Sequence, residues 1–476
     1  MSYEAVIGLE IHVQLNCPTK LFCDCANTAT ENANTHICPT CLWLPGASVQ
    51  LSEDALEKAA LTCLAVNAEI VSRSAFDQKV YYYPDLPKGY QLSQHHKPLA
   101  YGGWLDITGP DGKPNRLRIH HIHMEEDVAK LLHETDGQTR ISLVDFNRAG
   151  APLVEIVTEP DMRSGQDAMA FLRRLRTRIR YAKTAECSME SGTMRCDANI
   201  SIRPAGSEAF FSKVEVKNMN SVKAVGSAID YEIKRQQKLL DEGRPVLTHT
   251  RLWDPEKNIT TPMRDKFAGP CVPDPSVADI RLDETRINAL KERLPEMPAQ
   301  KQARFVRQYG LTEEEASLMS AERDVADYFE TIADKGVNTR IGAQWISGRL
   351  LPALKEKNHE ISTTTLSADR AAELLALLEK EAVNAKQARE IMALMFESEK
   401  PASRIADEKG FKQITDIAAL NALLDAALEE NPDAVANLRA GKKQASGFII
   451  GQAMQKSGGR ANPKILSDLL SRKNFT

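Results

Sequence analysis

Ile7-Gly8-Leu9-Glu10-Ile11-His12-Val13-Gln14-Leu15 is the stretch from which the fold of the first half of the chain is read. Its apolar residues Ile7, Leu9, Ile11, Val13 and Leu15 recur with period two, and Glu10, His12 and Gln14 occupy the alternate positions. That alternation predicts a strand with one buried face and one polar face. A solvated sheet surface would explain a single strand of this kind. The pattern recurs, however. His121, His123 and Glu125 share a face opposite Ile122 and Met124, and Glu155 lies between Val154 and Ile156. Asp197, Asn199, Ser201 and Arg203 alternate with Ala198, Ile200 and Ile202, and Glu215 and Lys217 alternate with Val214 and Val216.

If these five faces converge, they form an oxygen-rich site with a Lys and an Arg close by. Hard Mg2+ suits such donors, because it takes a few carboxylates and leaves room for water and phosphate. Phosphoryl transfer needs a clamp of this kind to neutralise developing charge. On spacing alone, a functional site and a solvated sheet face both stand. The chain has no G-x-x-x-x-G-K-[ST] loop, no G-x-G-x-x-G, no H-E-x-x-H and no G-x-S-x-G. Nucleotide chemistry would therefore need an unusual cradle.

Working outward, the chain has 476 residues, which suggests about three domains. Its 61 Lys and Arg against 65 Asp and Glu leave a formal charge of −4. That balance excludes a protein that coats nucleic acid by charge alone, but not one that selects a folded RNA. No apolar run approaches the roughly 18 residues of a membrane span, so no membrane partner is expected. The first apolar stretch is interrupted by Glu4, Glu10 and His12, unlike a secretory signal. Nine Cys, an odd number, fit reduced thiols in the cytoplasm.

The character of the sequence changes near residue 283. Strand and turn signals precede it and helical periodicity follows. Thr312-Glu313-Glu314-Glu315 is a capping box. Ala371, Leu374, Leu375 and Leu378 make one helical stripe. Leu420, Leu423, Leu424 and Ala427 make another, ending near Asn431-Pro432. Hinge candidates are Leu294-Pro295-Glu296-Met297-Pro298 and Lys400–Gly410. Within the first half, residues 164–182 predict an amphipathic helix, with Met169, Phe171, Leu172, Leu175 and Ile179 among five arginines. Its basic face suits solvent or an RNA contact.

Cys23-Asp24-Cys25 and Cys38-Pro39-Thr40-Cys41 are two close pairs separated by a loop, as in a structural four-cysteine zinc site. His36 and Cys17 are spare ligands. Small buried thiols or a redox pair would also explain the cysteines.

Several longer strings complete the reading: Phe76-Asp77-Gln78-Lys79, Tyr83-Pro84-Asp85-Leu86-Pro87-Lys88-Gly89-Tyr90-Gln91, His123-Met124-Glu125-Glu126-Asp127, Asp145-Phe146-Asn147-Arg148-Ala149-Gly150, Met194-Arg195-Cys196-Asp197-Ala198-Asn199 and Val216-Lys217-Asn218-Met219-Asn220-Ser221. With the opening strand they closely resemble the GatB/GatE family, the B subunits of glutamyl/aspartyl-tRNA amidotransferases (GatB within GatCAB). The resemblance runs nearly end to end. It implies a ligase that forms a carbon–nitrogen bond with glutamine as amide donor. The side-chain carboxylate of Glu-tRNA(Gln) or Asp-tRNA(Asn) would be phosphorylated by ATP. Ammonia channelled from a partner A subunit, a glutamine amidase, would then displace phosphate to give Gln-tRNA(Gln) or Asn-tRNA(Asn). A C subunit would complete a cytoplasmic heterotrimer.

Carried over by motif, Glu10, His12 and Glu125 would bind Mg2+, with Glu155, Asp197 and Glu215 as companions. Lys79, Asn199, Lys217 and Asn218 would contact phosphate or the aminoacyl end. Cys23, Cys25, Cys38 and Cys41 match the family's zinc knuckle. The implied fold is α+β: a mixed, largely antiparallel β-rich cradle domain over residues 1–290, an all-α helical domain over 291–404, and a small helical YqeY-like tail over 405–476. The last two would grip the tRNA. In the tail, Gly441-Lys442-Lys443 and Gly458-Gly459-Arg460-Ala461-Asn462-Pro463 match the family pattern, as a loop and a helix cap or as RNA contacts. Two departures stand out. Trp43 occupies a position where members usually have Gly, and the link after Met263-Arg264 is shorter than usual. The second puts nucleotide or subunit contacts there in question. Two other functions stay open on the sequence: a non-catalytic tRNA-binding scaffold and a metal-dependent phosphohydrolase.

Overall fold

All but Leu15 of the opening stretch lies in β1 (Tyr3–Gln14), the centre of one large mixed sheet. The structure, a computed structural model, describes residues 2–473 apart from 137–138, 210, 264–268, 358, 412, 413, 415 and 440–442. The shortened link after Met263 and the Gly441-Lys442 segment fall largely outside the described residues.

The other strands that matter are β2 (Arg73–Val80), β3 (Tyr90–Lys97), β4 (Pro114–Glu126), β5 (Pro152–Thr158), β6 (Met194–Pro204), β7 (Val214–Met219), β8 (His249–Asp254), β9 (Ile259–Pro262) and β10 (Cys271–Pro273). Their order across the sheet is β9-β8-β7-β6-β1-β5-β4-β3-β2-β10. Along this path the pairs are antiparallel, except that β7 and β8 run parallel. The helices α1 (Glu53–Ala65), α2 (Gly165–Tyr181) and α3 (Val222–Asp241) share the core of this sheet, and α3 supplies the crossover connection that a parallel pair needs.

The apolar face of β1 is fully buried at Ile7, Leu9, Ile11, Val13 and Leu15. Phe171, Leu172, Leu175 and Ile179 of α2 (Gly165–Tyr181) share that core, as do Val225, Ala228 and Ile229 of α3. Burial of each large apolar side chain contributes about 1.5–3 kcal/mol. A slip of one residue in β1 would move all of them to the polar face, so packing fixes the register. Both helices start where their caps dictate. Ser164 and Ser221 accept hydrogen bonds from the backbone N–H groups of Asp167 and Ala224.

The chain divides into two compact units, Met1–Pro298 and Ala299–Thr476. The described secondary structure of the second unit is helical. It contains the expected capping box, in which Thr312 and Glu315 bond each other's backbone N–H groups at 3.0 and 3.1 Å. One of its cores gathers Phe305, Phe329, Leu374, Leu375, Ile391 and Ile405; another gathers Leu420, Leu424, Ile449, Ala453 and Leu466. The segment Lys400–Gly410, read from sequence as a hinge candidate, contains the helix Ala402–Glu408. Its Ala402, Ile405 and Ala406 are buried in the first of these cores. No helix among the described residues is long and apolar enough to cross a membrane.

Candidate active site

Strand register decides which polar side chains meet. His12 lies opposite Glu155 on one side and Arg195 on the other, and Glu155 lies opposite His123. One row away, Gln14 lies opposite Leu153, which faces Glu125, which faces Ser93 of β3. One row in the other direction, Glu10 lies opposite Asp197. The polar faces of β1, β5, β4 and β6 therefore converge, and two clusters form side by side.

In the first cluster, His12 Nε2 lies 3.2 Å from Glu125 Oε1 and 3.3 Å from Glu155 Oε2. His123 Nε2 approaches the same Glu155 oxygen at 3.2 Å. Glu125 is buried, and its Oε2 has no hydrogen-bond partner. Burial pushes the His12 imidazole toward neutrality, but Glu125 and Glu155 outweigh it and raise its pKa to about 10. The same contest raises His123 to about 9. Burial favours the neutral acids, yet the two imidazoles hold Glu125 down to about 2 and Glu155 well below the usual range. One ligand atom each from His12, Glu125 and Glu155 lies within 4.8 Å of the others. The Glu125 and Glu155 carboxylates, with the His12 imidazole once a cation displaces its proton, make a donor set that fits a hard divalent cation.

In the second cluster, Lys217 Nζ bridges the carboxylates of Asp197 and, at 2.8 Å, Glu215. Burial opposes its charge, but these acids hold its pKa above the usual value. Asn199 Nδ2 donates to Glu10 Oε1 at 2.8 Å. The Glu10 carboxyl is pushed up by burial and then by Glu155.

The sequence-derived residues thus separate. Glu10 joins the second cluster rather than the His12–Glu125 group, and Glu155 takes the place expected for it. Asp197, Asn199, Glu215 and Lys217 sit together. Lys79 is exposed on β2, opposite Gln91 and Cys271, and joins neither cluster. Asn218 adopts φ +69°, and its amide donates to the carbonyl of Trp253 at 3.2 Å. Two further side chains belong to the site. His123 completes the first cluster. Arg195 stands beside His12 and is held by Asp127 at 3.0 Å. His123 lies on the face read with His121 and Glu125, and Arg195 extends the Asp197–Arg203 alternation by one step, which is the signal that identifies it.

The Sγ atoms of Cys23, Cys25, Cys38 and Cys41 lie within 4.8 Å of one another. A Zn–S bond of about 2.3 Å implies S···S spacings of about 3.8 Å in a tetrahedron, so the group fits a closed zinc site. The Cys23 thiol lowers the pKa of Cys41, and against the opposing effect of burial the Cys38 backbone and buried Lys20 add to it, favouring the thiolate form that a metal takes. Lys20 Nζ donates to the carbonyls of His36 and Phe146 at 2.7 and 3.2 Å. The spare ligands are otherwise engaged. Cys17 is buried with its thiol pushed up to about 12, and His36 Nδ1 lies 3.1 Å from the Thr28 carbonyl. Trp43, two residues beyond the knuckle, has φ +55°. Glycine is favoured at that backbone conformation. The Trp43 ring packs edge-on to Tyr90 at 5.8 Å, with Lys88 Nζ 5.9 Å from its centroid.

The sequence also matches known proteins along nearly its whole length. A family model described as the GatB/GatE catalytic domain matches residues 5–288, and a second, described as the GatB domain, matches residues 327–473. A B subunit of the aspartyl/glutamyl-tRNA(Asn/Gln) amidotransferase from Syntrophus aciditrophicus (strain SB) is 56% identical over 473 residues, 99% of each chain. The corresponding B subunits of Carboxydothermus hydrogenoformans and Moorella thermoacetica are 42% and 40% identical, over 99% of this chain and 98% and 100% of theirs.

Proposed function

The chain belongs to the GatB/GatE family, and from that premise we propose that it is the B subunit of a glutamine-dependent aspartyl/glutamyl-tRNA amidotransferase, carrying the ATP-dependent step. The observation that carries this reading is the convergence of His12, Glu125 and Glu155 beside the Lys217 cluster on one sheet face.

The substrate is the side-chain carboxylate of Glu-tRNA(Gln) or Asp-tRNA(Asn). A carboxylate oxygen attacks the γ-phosphorus of ATP, an O–P bond forms, and the bond to ADP breaks. Ammonia from the A subunit then attacks the acyl carbon, the acyl C–O bond to phosphate breaks, and the proton lost from nitrogen leaves with phosphate as hydrogen phosphate as the amide forms. His12, Glu125 and Glu155 would hold Mg2+, which neutralises phosphate charge when bound. Lys217 and Arg195 supply fixed positive charge on the same face, and their acidic partners orient them before substrate arrives. Glu10 and Asn199 lie on the second cluster's side, where they can meet the nucleotide or the aminoacyl end. Cys23, Cys25, Cys38 and Cys41 would hold a structural zinc.

Residues 1–290 form the cradle in this reading. Residues 291–404 and the tail 405–476 grip the tRNA, and A and C subunits complete a cytoplasmic heterotrimer. The test is ATP-dependent phosphate release by the reconstituted heterotrimer, with and without misacylated tRNA. Release that requires the tRNA supports the proposal. tRNA binding without release points to a scaffold, and release indifferent to tRNA points to a phosphohydrolase.

A further inference from the structure

Five of the chain's ten histidines, His95, His96, His120, His121 and His123, lie on the two strands β3 and β4. The site described above uses only His123. His96 is engaged by buried Asp77 at 2.8 Å, and His95 packs edge-on to it at 5.0 Å. His120 and His121 are different. Successive side chains of a regular strand point to opposite faces. Here the two Nδ1 atoms lie only 2.7 Å apart, with ring centroids 5.0 Å apart. The backbone gives the reason. His121 lies opposite Val157 and Ile119 opposite Thr158, so the register shifts and His120 is an extra residue with no partner on β5. Its carbonyl accepts instead from the Gly102 N–H at 3.0 Å. An extra residue of this kind turns a side chain out of the alternation, and such irregularities concentrate beside functional sites.

Two imidazole nitrogens this close share one proton, or they offer both lone pairs to one metal. With metal–nitrogen bonds of about 2.0–2.1 Å, a right-angled chelate spaces its nitrogens about 2.9 Å apart and a tetrahedral one about 3.3 Å. The observed spacing is nearer the first, which is the geometry of tetragonal Cu(II) and Ni(II). Imidazole donors also suit these ions better than Mg2+. His121 is ready to ligate. Burial, then the neighbouring His123 and His120, lower its pKa to about 4, so the ring is neutral at neutral pH. Its ring stacks on His123 at 5.3 Å and 16°, and Glu155 holds His123 in turn at 3.2 Å. Outer contacts of this sort orient a ligating ring. Among the described residues no third His, Cys, Asp or Glu ligand atom lies within 4.8 Å of both nitrogens, so the remaining positions are open to water.

We propose that His120 and His121 form a two-imidazole chelate for a borderline transition metal, Cu(II) or Ni(II). It is separate from the carboxylate-rich cluster of His12, Glu125 and Glu155 and from the four-cysteine knuckle. It lies on the rim of the same polar face, since His121 is opposite Val157, which is opposite Glu10. It stands whether or not the ATP-dependent reading does.

The test uses the untagged full chain with its zinc content measured and excess Mg2+ present to occupy the carboxylate cluster. Ni2+ is titrated calorimetrically into wild type, His120→Asn, His121→Asn and, as a control on an exposed histidine elsewhere, His133→Asn. The expected result is one Ni2+ bound without loss of zinc, with affinity at least about tenfold weaker in the first two variants and unchanged in the third. In wild type, Ni2+ should also protect His120 and His121 from diethyl pyrocarbonate, read by peptide mass mapping. No Ni2+ bound, which leaves an N–H···N hydrogen bond only, would overturn the proposal, as would binding that both variants retain. If the two variants lose zinc or melt early, the wild-type protection decides, and an unprotected His120 overturns the site.

Discussion

Glu155 and Glu10 are both acids on the same sheet face, yet register gives them different work. Glu155 meets His12 across one strand pair, whereas Glu10 sits one row away and takes a hydrogen bond from Asn199. Substituting Glu155→Gln is expected to raise the Mg2+ concentration for half-maximal ATP-dependent phosphate release by at least about tenfold. Glu10→Gln is expected to move it much less. A titration of activity against Mg2+ checks the pair, and equal shifts would place Glu10 among the ligands. Trp43 supplies a separate test. Its left-handed backbone costs an L-residue roughly 1–2 kcal/mol, and the ring recovers some of that against Tyr90 and Lys88. Trp43→Ala keeps the strain and loses the packing, whereas Trp43→Gly loses both. The Gly variant should therefore be the more stable of the two by about 1 kcal/mol in denaturant unfolding.

The elements hold these residues through two devices that differ in kind. One is the four-cysteine knuckle, ordered by ligand bonds. Chelation of the metal, or Cys41→Ser, should remove stoichiometric zinc and lower the thermal midpoint of the first unit, with metal analysis and melting as the readouts. A protein that melts identically without metal would make the knuckle incidental. The other is the buried network at Glu232 of α3. Its carboxylate accepts from Arg235 at 2.6 and 2.9 Å, Gln236 at 3.0 Å and Thr260 at 3.0 Å, and Arg251 lies 3.6 Å away. This network ties the crossover helix to β8 and β9. Glu232→Ala leaves buried Arg251 without its acid and should destabilise the protein by about 3–5 kcal/mol, while zinc content stays unchanged.

Much at the element scale was legible in the sequence because it is local. The alternation of Ile7–Leu15, the amphipathic pattern over 164–182 and the Thr312–Glu315 box depend on residues a few positions apart. Which carboxylates share a row depends on pairings between strands distant in sequence, such as β1 with β5 and β6, and no local pattern encodes that register. The extension of β1 back to Tyr3 and the register shift between Cys196 and Ala198 are likewise settled by partners. That is why Glu155 rather than Glu10 stands with His12 and Glu125, and why Lys79 and Asn218 carry motif identity without lying in either cluster.

At the scale of the whole molecule, a formal charge of −4 hides a strong local separation. Glu10, Glu125, Glu155, Asp197 and Glu215 gather on one sheet face, each answered by an imidazole, an amide or a cation. Such a face gains from a divalent cation and a polyphosphate what it lacks alone, while near-neutrality elsewhere suits a partner chosen by shape and then released. The most direct measurement is amide formation on Glu-tRNA(Gln) from free ammonia and ATP, which bypasses glutamine hydrolysis by the A subunit. It compares the wild-type heterotrimer with one carrying Glu125→Gln and Glu155→Gln. The account predicts a loss of at least about 100-fold with the glutaminase activity of the A subunit retained. Unchanged amide formation in the double variant would contradict it.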